Sequence, residues 1–208
     1  MLDIYGVHTG WEHFFPEDII PAALDLMIEA WPQRIRTNEK EEPITRGYVH
    51  RMQSLKNYRQ APNIRIIIEE LELTVNAEIK GRIDFKFVHG HNEDVYFAWE
   101  AKRLHITSAR PNYAAYTGED GMGCFISGKY SSTQVRGGML GYVMDADVRG
   151  AWKGVCNSMK QKSSSLCLQG QPTDVSQLSL PKDCQLAESN HDLTKKQMRL
   201  LHLLLPLG

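Results

Sequence analysis

GRIDFKFV at residues 81–88 and VYFAWEAK at residues 95–102 decide how this chain is read. In the first run Ile83, Phe85 and Phe87 alternate with Arg82, Asp84 and Lys86, the two-residue period of a strand. In the second, Val95, Phe97, Trp99 and Ala101 point one way and Tyr96, Ala98, Glu100 and Lys102 the other. The polar stretch HGHNED between them has hairpin length, which pairs the two runs antiparallel. A third β-branched and aliphatic run, Ile64 to Thr74, precedes them. If each strand turns its aromatic set to one core, Asp84, Glu100 and Lys102 converge on the opposite face. Two carboxylates and an ammonium crowded there are costly unless a divalent cation joins them.

Outward from this hairpin the chain reads as mixed α/β. Glu17 to Trp31 predicts a helix, with Ile20, Leu24, Met27, Ile28 and Trp31 on one face. Pro21 is tolerated in its first turn and Pro32 ends it. Pro43 opens a second helix whose stripe is Ile44, Tyr48, Met52 and Leu55, and Ala61-Pro62-Asn63 breaks it. Tyr116 to Gly141 reads as a glycine-rich loop leading into a helix around Ser132 to Met144, where Gly137, Gly138 and Gly141 permit close packing. Lys160 to Ser179 is polar and reads as a long surface loop. RLLHLLLPL at residues 199–207 is a last strand or a short helix, and its length favours a buried strand. The division expected is an N-terminal helical extension over residues 1–40 and one catalytic-type domain over 41–208.

Composition narrows the class. The 208 residues suffice for one core without disulfide or metal staples. A content of 42% hydrophobic and 24% charged residues excludes wholesale disorder, and a net charge of −1 excludes a uniformly basic coat. Four cysteines without CxxC spacing fit a reduced compartment. The N-terminus lacks the basic start and apolar run of a signal peptide, and the longest apolar stretch is far too short to span a bilayer. A cytoplasmic protein with no membrane partner is expected.

The near-zero charge conceals a segregation along the chain. Residues 43–68 carry Arg46, Arg51, Lys56, Arg59 and Arg65 without a carboxylate. Lys102, Arg103 and Arg110 lie in a second acid-free stretch, Lys129 and Arg136 in a third. Basic segments flanking an acidic strand region suit a polyanion held over a metal site, or are ordinary solvated faces. On the first reading Arg46, Arg51, Arg59, Arg103, Lys129 and Arg136 contact nucleic acid, and Tyr113 and Tyr116 stack on bases or, more simply, pack on the sheet.

The Asp84, Glu100 and Lys102 constellation suits phosphodiester hydrolysis. Hard carboxylate oxygens bind Mg²⁺, for which Mn²⁺ substitutes. The ion polarises phosphate and acidifies a bound water, while Lys102 positions or deprotonates that water and offsets developing charge. Acid-x-Lys occurs three times, at Glu78/Lys80, Asp84/Lys86 and Glu100/Lys102. Glu100/Lys102 is singled out because it closes an aromatic strand, has Asp84 upstream and leads into basic sequence. Glu72 with Asp84/Lys86 is the alternative register.

On GRIDF with Asp84 and EAK with Glu100 and Lys102, the chain resembles the PD-(D/E)xK nuclease superfamily. Ile83 stands where that family nominally has proline. The resemblance implies a restriction-endonuclease-like core of helix, three-stranded antiparallel meander, helix and strand, with an extra N-terminal helix. It implies Asp84 and Glu100 on Mg²⁺ with Lys102 beside the attacking water. It further implies a third acid from the first core helix, Glu42 with Glu41 as its rival, and Gln134 with Tyr142 on the helix after the lysine. The activity implied is endonucleolytic cleavage of DNA, or of RNA, and small free-standing nucleases of this kind resemble effectors of bacterial or phage defence systems. Target choice would come from a partner protein or a homodimer. The alternative is a catalytically inactive nucleic-acid-binding or protein-interaction module on the same fold.

Other signals weigh less. Gly123 to Lys129 nearly matches a phosphate-binding P-loop, but Tyr130 stands where Ser or Thr is needed. His89 and His91 flank a turn without a third metal ligand at a compatible spacing, and read as solvated. His191 and His202 either face the site or are satisfied core residues.

Overall fold

The structure is a computed structural model that describes residues 15–31, 40–59, 63–73, 79–105, 112–131, 133–175, 180–181 and 183–207. Its described elements run α1 (Ile20–Ala30), α2 (Glu41–Arg59), β1 (Ile64–Leu73), β2 (Ile79–His89), β3 (Tyr96–Leu104), α3 (Tyr113–Tyr116), α4 (Met122–Ile126), β4 (Arg136–Val143), α5 (Val148–Gln161), β5 (Leu168–Asp174), β6 (Gln185–Leu193) and β7 (Lys196–Pro206). A short 3-10 turn, Glu17–Ile19, precedes α1.

One seven-stranded mixed sheet has the order β1-β2-β3-β4-β7-β6-β5. β1 to β3 form the expected antiparallel meander. β4 joins β3 in parallel, β7 joins β4 in parallel, and β6 and β5 complete the sheet antiparallel. The parallel strands at the centre are buried on both faces, β4 over residues 137–143 and β7 over residues 200–205.

Two apolar layers cover the sheet. On one side α1 and α2 bring Leu24, Met27, Ile44, Tyr48 and Met52 against Phe85, Phe87, Phe97 and Trp99. These helices form where the spacing predicted, and α1 shares this core with α2 and the sheet. On the other side α3, α4 and α5 cover Ile83, Ala98, Met139, Leu200 and Leu204. Among the described residues no helix is long and apolar enough to cross a membrane.

Two expectations are corrected. The helix placed around Ser132 to Met144 is the strand β4, and the helical mass after the meander is supplied by α3, α4 and later α5. The glycines do permit close packing, but across a sheet: a Cβ on Gly138 would lie 2.3 Å from the Trp99 indole, and one on Gly137 would lie 2.5 Å from the Phe125 ring. The polar loop placed at about 160–179 is also only partly a loop. α5 continues to Gln161 and residues 168–174 form β5, while 176–179 lie outside the described residues. β5 is a mostly exposed edge strand, so its polarity reflects its position at the sheet margin rather than the absence of a strand.

Candidate active site

The β2–β3 ladder stops at the pair Phe85 and Trp99. Beyond it the N–H groups of β3 that would meet β2 take carboxylates as partners. Ala101 N–H donates to Asp84 Oδ2 at 2.8 Å, and Arg103 N–H donates to Glu41 Oε2 at 2.8 Å. Two acidic side chains thus stand where a strand backbone would continue, and both are fixed relative to β3. The departure also swings Ile83 to the layer opposite Phe85 and Phe87, so the strict alternation read from GRIDFKFV holds only on the paired side of Asp84.

Glu100 and Lys102 share a face of β3, as their spacing requires. Lys102 Nζ donates to Glu100 Oε1 at 2.5 Å, to the Ala101 carbonyl at 3.0 Å and to Glu41 Oε1 at 3.4 Å. The acid that α2 brings to this cluster is therefore Glu41, not Glu42. Glu42 is exposed and pairs with Arg46 at 2.9 Å, one helical turn on. The sequence carried this signal: Glu41 stands three, four and seven residues before Ile44, Thr45 and Tyr48, all of them buried, whereas Glu42 with Arg46 is an ordinary i,i+4 surface pair. Thr45 in turn shares a 3.0 Å hydroxyl contact with Tyr142, which reaches the neighbourhood of Asp84 from β4 rather than from a helix.

Burial and like charge set the protonation of the cluster. Burial raises the Asp84 carboxyl to about 6, although the Ala101 N–H and Lys102 hold it down. Burial, joined by the charge of Asp84, pushes Glu100 up to about 8, with Lys102 pulling the other way. Burial by itself would lower the Lys102 ammonium, but the Glu100 and Glu41 carboxylates outweigh it and hold its pKa above the ordinary value. The group is an acidic pocket short of positive charge.

Its fit to a metal rests on one atom. Glu100 Oε2 is buried without a hydrogen-bond partner. A buried carboxylate oxygen left unpaired is costly, and a hard cation is the partner that its chemistry suits. Among the described residues no group of three or more His, Cys, Asp or Glu side chains is arranged to hold an ion alone. The donor set is the Asp84 and Glu100 pair, which fits Mg²⁺ because that ion usually binds through one or two carboxylates and keeps several waters. Both Glu41 oxygens are occupied by Lys102 and the Arg103 N–H, so its role here is to hold the lysine.

The remaining candidates divide. Gln134 is buried before β4, where its side chain accepts from Phe15 N–H at 3.3 Å and donates to the Asp94 carbonyl at 3.0 Å. Asp94 precedes Glu100 by six residues, about 20 Å along an extended strand, so Gln134 is not brought to the carboxylates. Arg46 makes a bidentate pair with Glu69 at 2.5 and 2.7 Å. Arg51 donates to the Ala30 carbonyl at 3.0 Å, and Arg136 pairs with Glu17 and Glu188 at 3.1 Å each. These three serve internal ties. Arg59 ends α2 with its side chain outside the described residues. Lys129 lies 3.7 Å from the exposed Asp120 and close enough to Cys124 to act on its thiol together with Glu100 and Lys102, which puts it at the rim of the pocket. The five-residue α4 takes up most of the P-loop-like segment, and a turn rather than a strand precedes it. Comparison with family models, with curated proteins and with solved structures finds no match.

Proposed function

We propose that the chain is a metal-dependent nuclease that hydrolyses nucleic-acid phosphodiesters, DNA before RNA, on a restriction-endonuclease-like core. The observation that carries this reading is the pairing of half-buried Asp84 with buried Glu100, one oxygen of which is unpaired, closed on one side by a charged lysine. Asp84 and Glu100 would hold Mg²⁺ or Mn²⁺, which would supply Lewis-acid polarisation of phosphate and a water of lowered pKa. The chain's own groups do the rest. Asp84 is oriented by the Ala101 N–H, so the chain itself places this carboxylate. Lys102 stays protonated between Glu100 and Glu41, so its contribution is electrostatic: it orients the attacking water and offsets charge developing on phosphate. Lys129 at the rim offers a further cation to the backbone of the polyanion.

The test is direct. Purified protein is incubated with plasmid, linear DNA and RNA in Mg²⁺, Mn²⁺ or EDTA, beside Asp84→Asn and Lys102→Ala. Cleavage that needs the divalent ion and vanishes in both variants is expected. Cleavage that survives in both, or no cleavage of any substrate by the wild type, rejects the reading.

A further inference from the structure

The segment that carries Asp84 has lost its β3 partners, yet it holds its carboxylate at 2.8 Å from a single backbone N–H. The β1 ladder still holds its other edge, with Glu70 opposite Ile83 and Leu71 opposite Arg82, and a side-chain bond adds a second tie. The Tyr130 hydroxyl donates to the carbonyl of Arg82, two residues before Asp84. The Tyr130 ring is almost wholly buried and packs edge-on against Phe125 at 5.7 Å, and its own N–H donates to the Cys124 carbonyl at 2.8 Å. The segment around it thus ties β2 to α4. Gly81 makes the approach possible: a Cβ there would lie 2.7 Å from the Tyr130 ring and 2.5 Å from the Lys129 side chain. The same glycine therefore seats the tyrosine that holds β2 and the lysine that stands at the rim.

We propose that Tyr130 is the positioning residue of this site: by holding the Arg82 carbonyl it sets the place of the Asp84 carboxylate against Ala101. The assignment of the pocket as a metal-dependent nuclease site underlies its functional side. The positioning itself is a statement about hydrogen bonds and is read independently of metal. A partner that orients a metal ligand commonly accounts for 10–100-fold in affinity.

The experiment compares wild type, Tyr130→Phe and Phe125→Leu, the last disturbing the same packing without touching the Arg82 carbonyl. Amide hydrogen exchange is read at Ala101, capped by Asp84, and at Arg103, capped by Glu41. Mn²⁺ affinity is read by calorimetry. Tyr130→Phe is expected to speed exchange at Ala101 by about tenfold, leave Arg103 unchanged and weaken Mn²⁺ by about tenfold. Phe125→Leu is expected to lower the melting temperature without either effect. Wild-type exchange at Ala101 in Tyr130→Phe overturns the inference, as does an equal change in Phe125→Leu. A wild-type protein that binds no Mn²⁺ sinks the nuclease reading instead, and the Ala101 amide then decides the role of Tyr130 alone.

Discussion

Two buried polar clusters lie on the same face of the sheet and behave in opposite ways. Glu100 on β3, Met139 on β4 and His202 on β7 are consecutive cross-strand neighbours, so a single strand, about 10 Å of sheet, separates the carboxylate pocket from a buried histidine. Around His202 every polar atom of the chain is used. His191 Nδ1 meets the Leu166 carbonyl at 2.7 Å, which makes its Nε2 an acceptor for the Ser189 hydroxyl at 2.7 Å. Ser189 then accepts from His202 Nε2 at 2.7 Å, and His202 Nδ1 accepts from the Tyr116 hydroxyl at 3.1 Å. This order follows when both rings are neutral, and burial favours that state, lowering His202 to about 3 and His191 in the same direction. The carboxylate pocket has an orphaned oxygen, and its acids are raised rather than satisfied. A complete polar network specifies a fold, whereas one in which the carboxylates outnumber the lysine and an oxygen stays unpaired is the kind found at functional sites.

The sharpest way to break this comparison is activity. Lys102→Ala is expected to cut phosphodiester cleavage by about 10³-fold or more, roughly 4 kcal/mol of transition-state stabilisation. His202→Ala should leave the chemistry of the folded fraction intact. Equal loss of specific activity per folded molecule in both variants would erase the distinction.

Stability should invert the ranking. His202→Ala strands Ser189 and Tyr116 and opens a cavity, for a loss of about 3 kcal/mol in urea unfolding. Glu100→Gln in EDTA at pH 8 removes a charge that the fold resists, and a gain of about 1 kcal/mol is expected together with lost cleavage. If Glu100→Gln is as destabilising as His202→Ala, the pocket is structural.

The dependence on pH separates the two clusters by sign. Asp84 and Glu100 are raised in the folded state, so the stability linked to them is present below about pH 4 and is lost as pH rises through their folded values, about 6 and about 8. The histidines are lowered, so their contribution is present above an unfolded value of roughly 6.5 and is lost as pH falls toward about 3. Melting of the metal-free protein across pH 4–9 should therefore show an alkaline decline that Glu100→Gln flattens and that Mn²⁺, added without chelator, offsets. The acid decline should flatten only in His202→Gln. A decline that ignores both substitutions would mean that other groups govern it.

The smallest effect concerns the basic helix. Arg51→Ala should cost about 1 kcal/mol through the lost Ala30 contact and leave the salt dependence of nucleic-acid binding unchanged. A slope shallower by about one unit would return Arg51 to the phosphate contacts.

Much of this was legible in the chain, for reasons of period. Strand alternation found the β1 to β3 meander and put Glu100 beside Lys102, because neighbours two apart on a strand must share a face. Helical spacing found α1 and α2, and it contained the information that Glu41 rather than Glu42 faces inward. What the sequence could not carry is anything set by contacts between distant segments. The run of residues 136–143 reads as a weak helix until Trp99 and Phe125 are laid over its glycines, and then it is the parallel strand that only those glycines allow. The acid-free basic stretches look like a surface for polyanions until folding brings Glu69 to Arg46 and Glu17 and Glu188 to Arg136. Charge segregated along a chain need not be segregated in space, because a side chain's partner is chosen by the sheet and not by the sequence neighbour. The same holds at the site: sequence alone supplies the two carboxylates and the lysine, but the broken β2–β3 ladder, which lets carboxylates stand in for a strand, exists only in the folded sheet.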